Sequence, residues 1–218
     1  MFYGQLDVKG ARLPFEQAYS LATSDVDVLS RYAIFCARTG RFAEASLAID
    51  QATTLDPLNA SIFRSRGNIK YVTRQYEAAI ADGEHALQIN PERNSVNGDI
   101  GDSWVMLGKL DEARLAYGKE KNSLIALAGL AIIDHREGKQ ASAQAHLDKL
   151  VAEHGDNALY QRAQVLAQWG ETDRAFATLA EATRLHDAGM GYLLNDPFLD
   201  PIRKDTRFNA LLLRTGFL

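Results

Sequence analysis

The feature that most constrains the fold of this 218-residue chain is a repeat of its own pattern at a fixed interval of 34 residues. A period of this length is typical of stacked helix pairs, because each pair can bury its apolar face only against its neighbours. The sequence therefore predicts an elongated helical array instead of a single globular core. The recurring pairs are Pro57 and Pro91, Phe42 and Tyr76, Ala45 and Ala79, and Ala52 and Ala86.

Each repeat contains the signals of two helices and a turn. Within residues 26–59, apolar residues at spacings of three and four form two helical stripes. Gly40 separates the stripes, because a left-handed glycine ends a helix in a tight turn, and Pro57 closes the unit, because proline cannot continue a helix. Residues 60–93 follow the same plan, and looser units follow at 94–123, 124–155 and 156–188. Gly108 and Gly138 are only 30 residues apart, which predicts that the second helix or the connection of the third unit is about one turn shorter.

Several positions of the second unit agree in phase with a known repeat. The chain resembles the tetratricopeptide repeat family, whose pattern of small and aromatic residues ends in proline. The resemblance implies an all-α fold, namely a right-handed α-solenoid of antiparallel helix pairs. It also implies a protein or peptide partner and no enzymatic activity, since such solenoids present a concave surface to other proteins. The matching residues are Gly67, Tyr76, Ala79, Ala86 and Pro91.

The two ends of the chain differ from the central units. Ala11, Phe15 and Ala18 lie one period upstream of small or apolar residues of the first unit, so residues 11–23 are predicted to form the second helix of a half repeat within an N-terminal cap at residues 1–25. The half repeat leaves open that the chain is a fragment of a longer protein. Residues 189–218 are predicted to form a C-terminal capping segment that ends in a short amphipathic helix.

The C-terminal segment carries a second resemblance. Its order of Asp-Pro, Leu-Asp-Pro and Asp-x-Arg-Phe is similar to the tail of tetratricopeptide regions in bacterial winged-helix transcriptional regulators and nucleotide cyclases. The resemblance implies a regulatory or sensing region of a bacterial signalling or transcription-control protein. The residues that carry it are Asp196, Pro197, Leu199, Asp200, Pro201, Arg203, Asp205, Arg207 and Phe208.

Charge and composition argue against several classes of partner. The net charge of −4 gives no general attraction to nucleic acid or to an anionic membrane surface, both of which favour clustered Lys and Arg. Cys36 is the single cysteine, which excludes an intramolecular disulfide, and its place on an apolar stripe predicts a buried side chain. No run approaches the roughly 18 apolar residues of a membrane span. We therefore expect a cytoplasmic protein with no direct nucleic-acid or membrane partner.

Catalytic and cofactor motifs are missing from the sequence. The five histidines are scattered, and none forms the i, i+4 pair that binds zinc in metalloproteases. Glycines of the turns follow helices and lack the spacing of a phosphate-binding loop. We predict no catalytic residue, no metal and no cofactor, although a site assembled across helices would leave no linear signature.

Side chains of the first helices that face the concave groove are the candidate binding residues. Arg64, Asn68 and Tyr71 are the strongest cluster, because their spacing places a guanidinium, an amide and an aromatic ring on one helix face. The alternative is an ordinary solvated face on which Arg64 pairs with a neighbouring acid. The predicted groove residues are Asp27, Ser30, Ile34, Arg64, Asn68, Tyr71, Asp102, His135, Tyr160 and Gln164.

A second hypothesis for function is self-association. In this alternative the half repeat at residues 11–23 docks on another subunit, and the protein is a homodimeric scaffold.

Overall fold

The computed structural model describes residues 7–22 and 24–218 of the chain. These residues form twelve α-helices and no β-strand, which confirms the prediction of an all-α solenoid. The predicted N-terminal cap includes residues 1–6 and 23, which lie outside the described residues. The helices are α1 (Val8–Leu21), α2 (Val26–Arg38), α3 (Phe42–Leu55), α4 (Ala60–Val72), α5 (Tyr76–Ile89), α6 (Val96–Met106), α7 (Leu110–Lys119), α8 (Ser123–Arg136), α9 (Gln140–His154), α10 (Leu159–Gln168), α11 (Thr172–Arg184) and α12 (Thr206–Arg214).

The central helices pack as five consecutive pairs, from α2 with α3 to α10 with α11. The first helices of successive pairs also pack against one another, α2 on α4, α4 on α6, α6 on α8 and α8 on α10. These contacts between first helices lie on one side of the array and make it curve toward that side. The first helices therefore line its concave face. As predicted, the third pair is short, because α7 has 10 residues whereas α3 and α5 have 14 each.

Small residues at the start of each second helix allow the two helices of a pair to approach closely. Ala45, Ala113, Ala143 and Ala175 occupy equivalent positions in α3, α7, α9 and α11, and each is completely buried. A larger side chain at these points would separate the backbones and open the core, because ridges of one helix fill grooves of the other. The periodic alanines of the sequence are thus packing residues.

Four of the five turns within pairs contain a glycine in the left-handed conformation. Gly40, Gly108, Gly138 and Gly170 have φ between 73° and 79°, a region that glycine enters without a steric penalty. The second pair has Arg74 at this position, with φ of 66°. A non-glycine residue in this conformation is uncommon, so the arginine side chain is retained at a conformational cost.

Residues 188–203, named here the return segment, run from the last pair back toward the first. The segment consists mainly of two 3-10 turns, Ala188–Tyr192 and Pro197–Ile202. Met190, Leu193 and Leu199 are completely buried in the same core as the third to fifth pairs. The segment lies across the first helices, so it covers part of the concave face and is an integral part of the core.

The return segment and the C-terminus contact the first helix pairs directly. Asn195 Nδ2 donates a hydrogen bond of 2.8 Å to the carbonyl oxygen of Ala37 at the end of α2. Phe217 packs against the cluster formed by Val8 and Ala11 of α1 and Phe35 of α2. The sequence predicted only a cap for residues 189–218. Helix α12 does lie against α11, as a cap would, whereas the return across the concave face was not predicted.

Candidate functional site: a cleft on the concave face

A cleft of about 220 Å³ remains between the inner helices and the return segment. We call it the central cleft. Six of the ten predicted groove residues line it: Arg64, Asn68, Tyr71, Asp102, Tyr160 and Gln164. The other residues that matter for its chemistry are Asp99, Leu124, Ile125, Ala128, Gln161, Tyr192, Asp196 and Phe198.

The remaining four predicted groove residues lie elsewhere. Asp27 is exposed at the start of α2, and the hydroxyl of Ser30 bonds to that of Ser65 over 3.3 Å. Ile34 lines a separate small cavity of about 30 Å³. The ring of His135 stacks on Trp169, with centroids 5.2 Å apart. The six residues that line the central cleft belong to α4, α6 and α10, and the repeat phase could not show where the return segment covers the inner face.

Arg64 in the cleft wall forms an ion pair with Asp99, with 2.7 Å between Nε and Oδ2. This is the pairing that the alternative interpretation of Arg64 predicted, but the pair is partly buried instead of solvated. Burial raises the pKa of Asp99 above its ordinary value, although the charge and hydrogen bond of Arg64 act in the opposite direction. The guanidinium of Arg64 is thus already engaged by a carboxylate of this chain.

Asp102 is held by a single hydrogen bond from the chain's described residues. The hydroxyl of Tyr117 donates to Asp102 Oδ1 over 2.6 Å. Burial raises the pKa of Asp102 well above its ordinary value, the bond from Tyr117 lowers it, and the charges of Asp99 and Asp196 raise it further. Asp102 is accordingly a partly buried carboxylate whose Oδ2 accepts no hydrogen bond from the described residues.

Tyr117 reaches Asp102 through a gap between two helices. Its ring is only 1% exposed and lies between Gly101 of α6 and Gly129 of α8. A Cβ at Gly101 would come within 2.6 Å of the ring, and one at Gly129 within 2.1 Å. The ring needs glycine on both sides, because carbon atoms in contact are normally about 3.5–4.0 Å apart.

Asp196 of the return segment is the third carboxylate of the cleft, and it is fully hydrogen-bonded. It accepts from the hydroxyl of Tyr160 at 2.7 Å, from Gln164 Nε2 at 2.7 Å and from the backbone N–H of Phe198 at 2.9 Å. Burial raises its pKa, and these three bonds oppose the increase. Asp196 therefore fixes the return segment to α10.

Two polar atoms of the cleft wall are buried without a partner in the described structure. They are the hydroxyl oxygen of Tyr71 and Oε1 of Gln161. Buried polar atoms without a hydrogen bond are uncommon, because leaving one unpaired costs about 1–3 kcal/mol. Tyr71 was predicted as a groove residue, whereas Gln161 was not, because it is one residue away from Tyr160 in the repeat phase.

Arg74 links the second pair to the return segment. Its guanidinium donates to the carbonyl of Asn195 at 2.8 Å through Nη1 and to Asp200 Oδ1 at 2.8 Å through Nη2. Nη1 also bonds to the carbonyl of Val72. The sequence did carry a signal for this role, since Arg74 stands 34 residues after Gly40, at the position of a turn glycine.

The single thiol of the chain is buried and does not belong to the cleft. Cys36 is completely buried, and burial raises its thiol pKa to about 11, with the hydrogen bond from Tyr32 acting in the opposite direction. Within residues 7–22 and 24–218, no three His, Cys, Asp or Glu residues are grouped so that they could hold a metal ion. In the same part of the chain, no helix has both the length and the apolar character needed to cross a membrane.

Solved structures of tetratricopeptide repeat proteins have the same fold. One from Parabacteroides merdae superposes with a TM-score of 0.59 at 18% identity, covering 99% of this chain and 94% of that chain. PilF of Pseudomonas aeruginosa superposes with a TM-score of 0.58 at 19% identity, and the match covers 85% of this chain and 87% of PilF. YrrB, a tetratricopeptide repeat protein with an unusual peptide-binding site, superposes with a TM-score of 0.50 at 19% identity, and the match covers 82% of this chain and 95% of YrrB. These identities establish a similar fold alone. No protein-family model matches the chain, and no curated protein does either.

Proposed function

We propose that this protein is a non-enzymatic binding module that holds a short segment of a partner protein in the central cleft. The observation that carries the proposal is that the concave face already binds a polypeptide, the chain's own return segment. Inner helices hold the side chain of Asp196 through Tyr160 and Gln164, and Gln168 Nε2 donates to the backbone carbonyl of Phe198 over 2.7 Å. The face thus has side chains suited to both the backbone and the side chains of a non-helical segment.

The size of the cleft limits what a partner can insert. Its volume of about 220 Å³ is below the roughly 300 Å³ at which pockets for drug-sized ligands begin. One or two side chains of a partner fit this space, whereas a long extended peptide along the whole groove would collide with the return segment. The oxygens of Tyr71 and Gln161 are unpartnered and covered by neighbouring atoms, so they would accept hydrogen bonds from an inserted group after a small rotation of their side chains.

A peptide selection tests this proposal. A random dodecapeptide library displayed on phage would be selected on the native protein, and enriched peptides would be titrated against a Tyr71→Phe, Gln161→Leu double variant. The structure shows no hydrogen bond that these changes would break, so the fold should be unaffected. The matched control is Tyr76→Phe with Gln88→Leu, which makes the same chemical changes outside the cleft.

We expect enriched peptides to lose at least about fivefold in affinity for the cleft variant, because each of the two lost hydrogen bonds contributes about 0.5–1.5 kcal/mol. The control should bind them as the native protein does. If no peptide is enriched, or if the cleft variant binds as well as the control, the proposed function is wrong.

The finer assignment, a regulatory or sensing region of a bacterial signalling or transcription-control protein, rests on the resemblance of residues 196–208 and belongs to the same proposal.

Self-association is a second candidate function, favoured by one observation on α1. Leu13 and Leu21 of this helix are 62% and 87% exposed, and exposed leucines of this kind suit a helix–helix contact between two copies. Sedimentation equilibrium at about 50 µM tests it, since dimers respond to concentration. A dimer that Leu13→Asp converts to a monomer would support the scaffold, and a monomer of the native chain would exclude it.

A further inference from the structure

The central cleft contains more negative than positive charge. Among the described residues that line it, Asp99, Asp102 and Asp196 are carboxylates, and Arg64 is the one cation. Arg64 is committed to Asp99 by the 2.7 Å contact between Nε and Oδ2. No lining cation therefore remains for Asp102 or Asp196, although the charge of Arg203, which lies outside the cleft lining, opposes the increase that burial causes in the pKa of Asp196.

The two carboxylates are not equivalent. Asp196 accepts three hydrogen bonds, which compensates for its removal from water. Asp102 accepts one, at Oδ1, and its other oxygen has no donor from the described residues. A carboxylate with reduced access to water is stabilised by hydrogen-bond donors or by a cation. Asp102 is thus the position at which an external cation would be most stabilised.

Two further oxygens of the cleft wall suit a group that only donates hydrogen bonds. The hydroxyl oxygen of Tyr71 and Oε1 of Gln161 are buried, unpartnered and in the wall of the same cleft. A primary ammonium has three N–H donors and no acceptor. Asp102 Oδ2 is the acceptor for one of these donors. The oxygens of Tyr71 and Gln161 are covered by neighbouring atoms in this structure, so their side chains would rotate toward the cleft to accept from the other two.

The rest of the wall suits the stem that carries such a cation. The rings of Tyr71, Tyr192 and Phe198 line the cleft, and aromatic faces attract ammonium groups within about 6 Å. Leu124 and Ile125 add aliphatic surface on the α8 side, which would cover methylene groups. The combination of a carboxylate, aromatic rings and aliphatic side chains is complementary to an alkylammonium chain.

We propose that the central cleft binds a primary ammonium group on an apolar stem, with Asp102 as its counter-ion. This inference rests on the proposed function and names the chemistry of the inserted group. The same chemistry has two sources, a lysine side chain of a partner polypeptide or a free alkylamine. The competing hypothesis is that the cleft binds an anionic or a neutral group.

Two small probes and their controls test the inference on the full chain. The probes are N-acetyl-lysine methylamide, which stands for a lysine side chain, and n-butylamine, which stands for a free amine. n-Butanol is the neutral control of similar shape. Binding would be followed by NMR, from the shifts of backbone amides of residues that line the cleft, up to about 20 mM probe, because simple amines are expected to bind in the millimolar range.

The critical variant is Asp102→Asn, which retains the shape of the side chain and an acceptor for Tyr117. Its matched control is Asp111→Asn, which removes the same charge from an exposed position on α7. We expect at least one probe to shift cleft amides of the native protein and of the control, and Asp102→Asn to weaken that binding about ten- to hundredfold. n-Butanol should cause no comparable shift. A melting temperature of Asp102→Asn at or above that of the native protein would show that the variant is folded.

The pattern of responses identifies the source and can overturn the inference. Binding of the lysine derivative alone supports a lysine of a partner, and binding of n-butylamine alone supports a free amine. Equal binding to Asp102→Asn and to the native protein, an equal response to n-butanol, or no shift by either amine contradicts the inference. If selected peptides bind the cleft but neither amine does, the proposed function stands and the ammonium assignment fails. If an amine binds but no peptide is selected, the polypeptide function fails instead.

Discussion

Replacement of Gly129 by alanine should destabilise the protein, although alanine is the better helix former. Gly129 lies inside α8 with its Cα facing the ring of Tyr117, and a Cβ there would be 2.1 Å from Cζ of that ring. Normal contact requires about 3.5 Å, so the ring would have to move by about 1.4 Å. It cannot do so freely, because Gly101 bounds its other side and its hydroxyl bonds to Asp102.

The magnitude follows from three contributions. Overpacking a rigid buried ring costs about 3 kcal/mol, at the upper end of the usual range. Displacement of the Tyr117 hydroxyl from Asp102 costs about 1–2 kcal/mol more, and the higher helix propensity of alanine returns about 1 kcal/mol. The net loss in free energy of unfolding is about 3–4 kcal/mol, which lowers the melting temperature of a chain of this size by roughly 6–16 °C.

Gly118→Ala is the matched control. Gly118 lies in the last turn of α7, and no atom lies within 4 Å of a Cβ built there. The same substitution should therefore stabilise the protein by about 0.5–1 kcal/mol. Urea unfolding of the two variants side by side measures both values, and the two effects should have opposite signs.

A double variant isolates the cause. If the ring of Tyr117 is the obstacle, Tyr117→Leu should recover at least about 1 kcal/mol in the Gly129→Ala background relative to the native background. The reasoning is refuted if Gly129→Ala is as stable as Gly118→Ala, or if its loss is the same with and without the ring.

Three further predictions concern the backbone, the thiol and the charge of the cleft. Arg74→Ala should be less stable in urea than Arg74→Gly by about 1 kcal/mol. Both variants lose the contacts to Asn195 and Asp200, but only glycine removes the steric strain of the left-handed backbone conformation. Equal stability of the two variants would show that the conformation is not strained. With a pKa of about 11, Cys36 should react with iodoacetamide at pH 8 at least about 200-fold more slowly in the native protein than in urea, and rapid native labelling would contradict its burial. Because burial raises the pKa of Asp102 in the folded state, the unfolded state releases this proton at lower pH, so the contribution of Asp102 to native stability should be lost as pH increases above about 4. The stability of the native protein relative to that of Asp102→Asn should therefore fall with increasing pH in urea titrations, and a difference that stays constant would contradict the assignment of this proton to Asp102.

The regular part of the fold was predictable because it is set by local signals. Glycine at the turns, alanine at the helix contacts and the 34-residue period each act within one or two repeats. They predict Arg64, Asn68 and Tyr71 for the inner face, and these three residues line the central cleft. The paired helices and the short third unit follow from the same signals.

The path of the return segment could not be predicted in this way. It depends on contacts between residues far apart in sequence, such as Asn195 with Ala37, which no periodicity records. Asp196 was noticed for a resemblance in its segment, but its hydrogen bonds to Tyr160 and Gln164 required knowledge of the three-dimensional path. Arg74 is the instructive exception, since its departure from the turn glycine was visible in the sequence and marks one attachment point.

The return segment also changes how the array should unfold. In an open solenoid each repeat touches only its neighbours, so terminal repeats can fray one at a time. Here Asn195 and Phe217 tie the C-terminal region to α2 and α1, which raises the contact order and makes the first and last repeats mutually dependent. Amide hydrogen exchange at the two ends should then occur in one cooperative opening, and the last thirty or so residues should determine the protection of the N-terminal helices as much as local packing does.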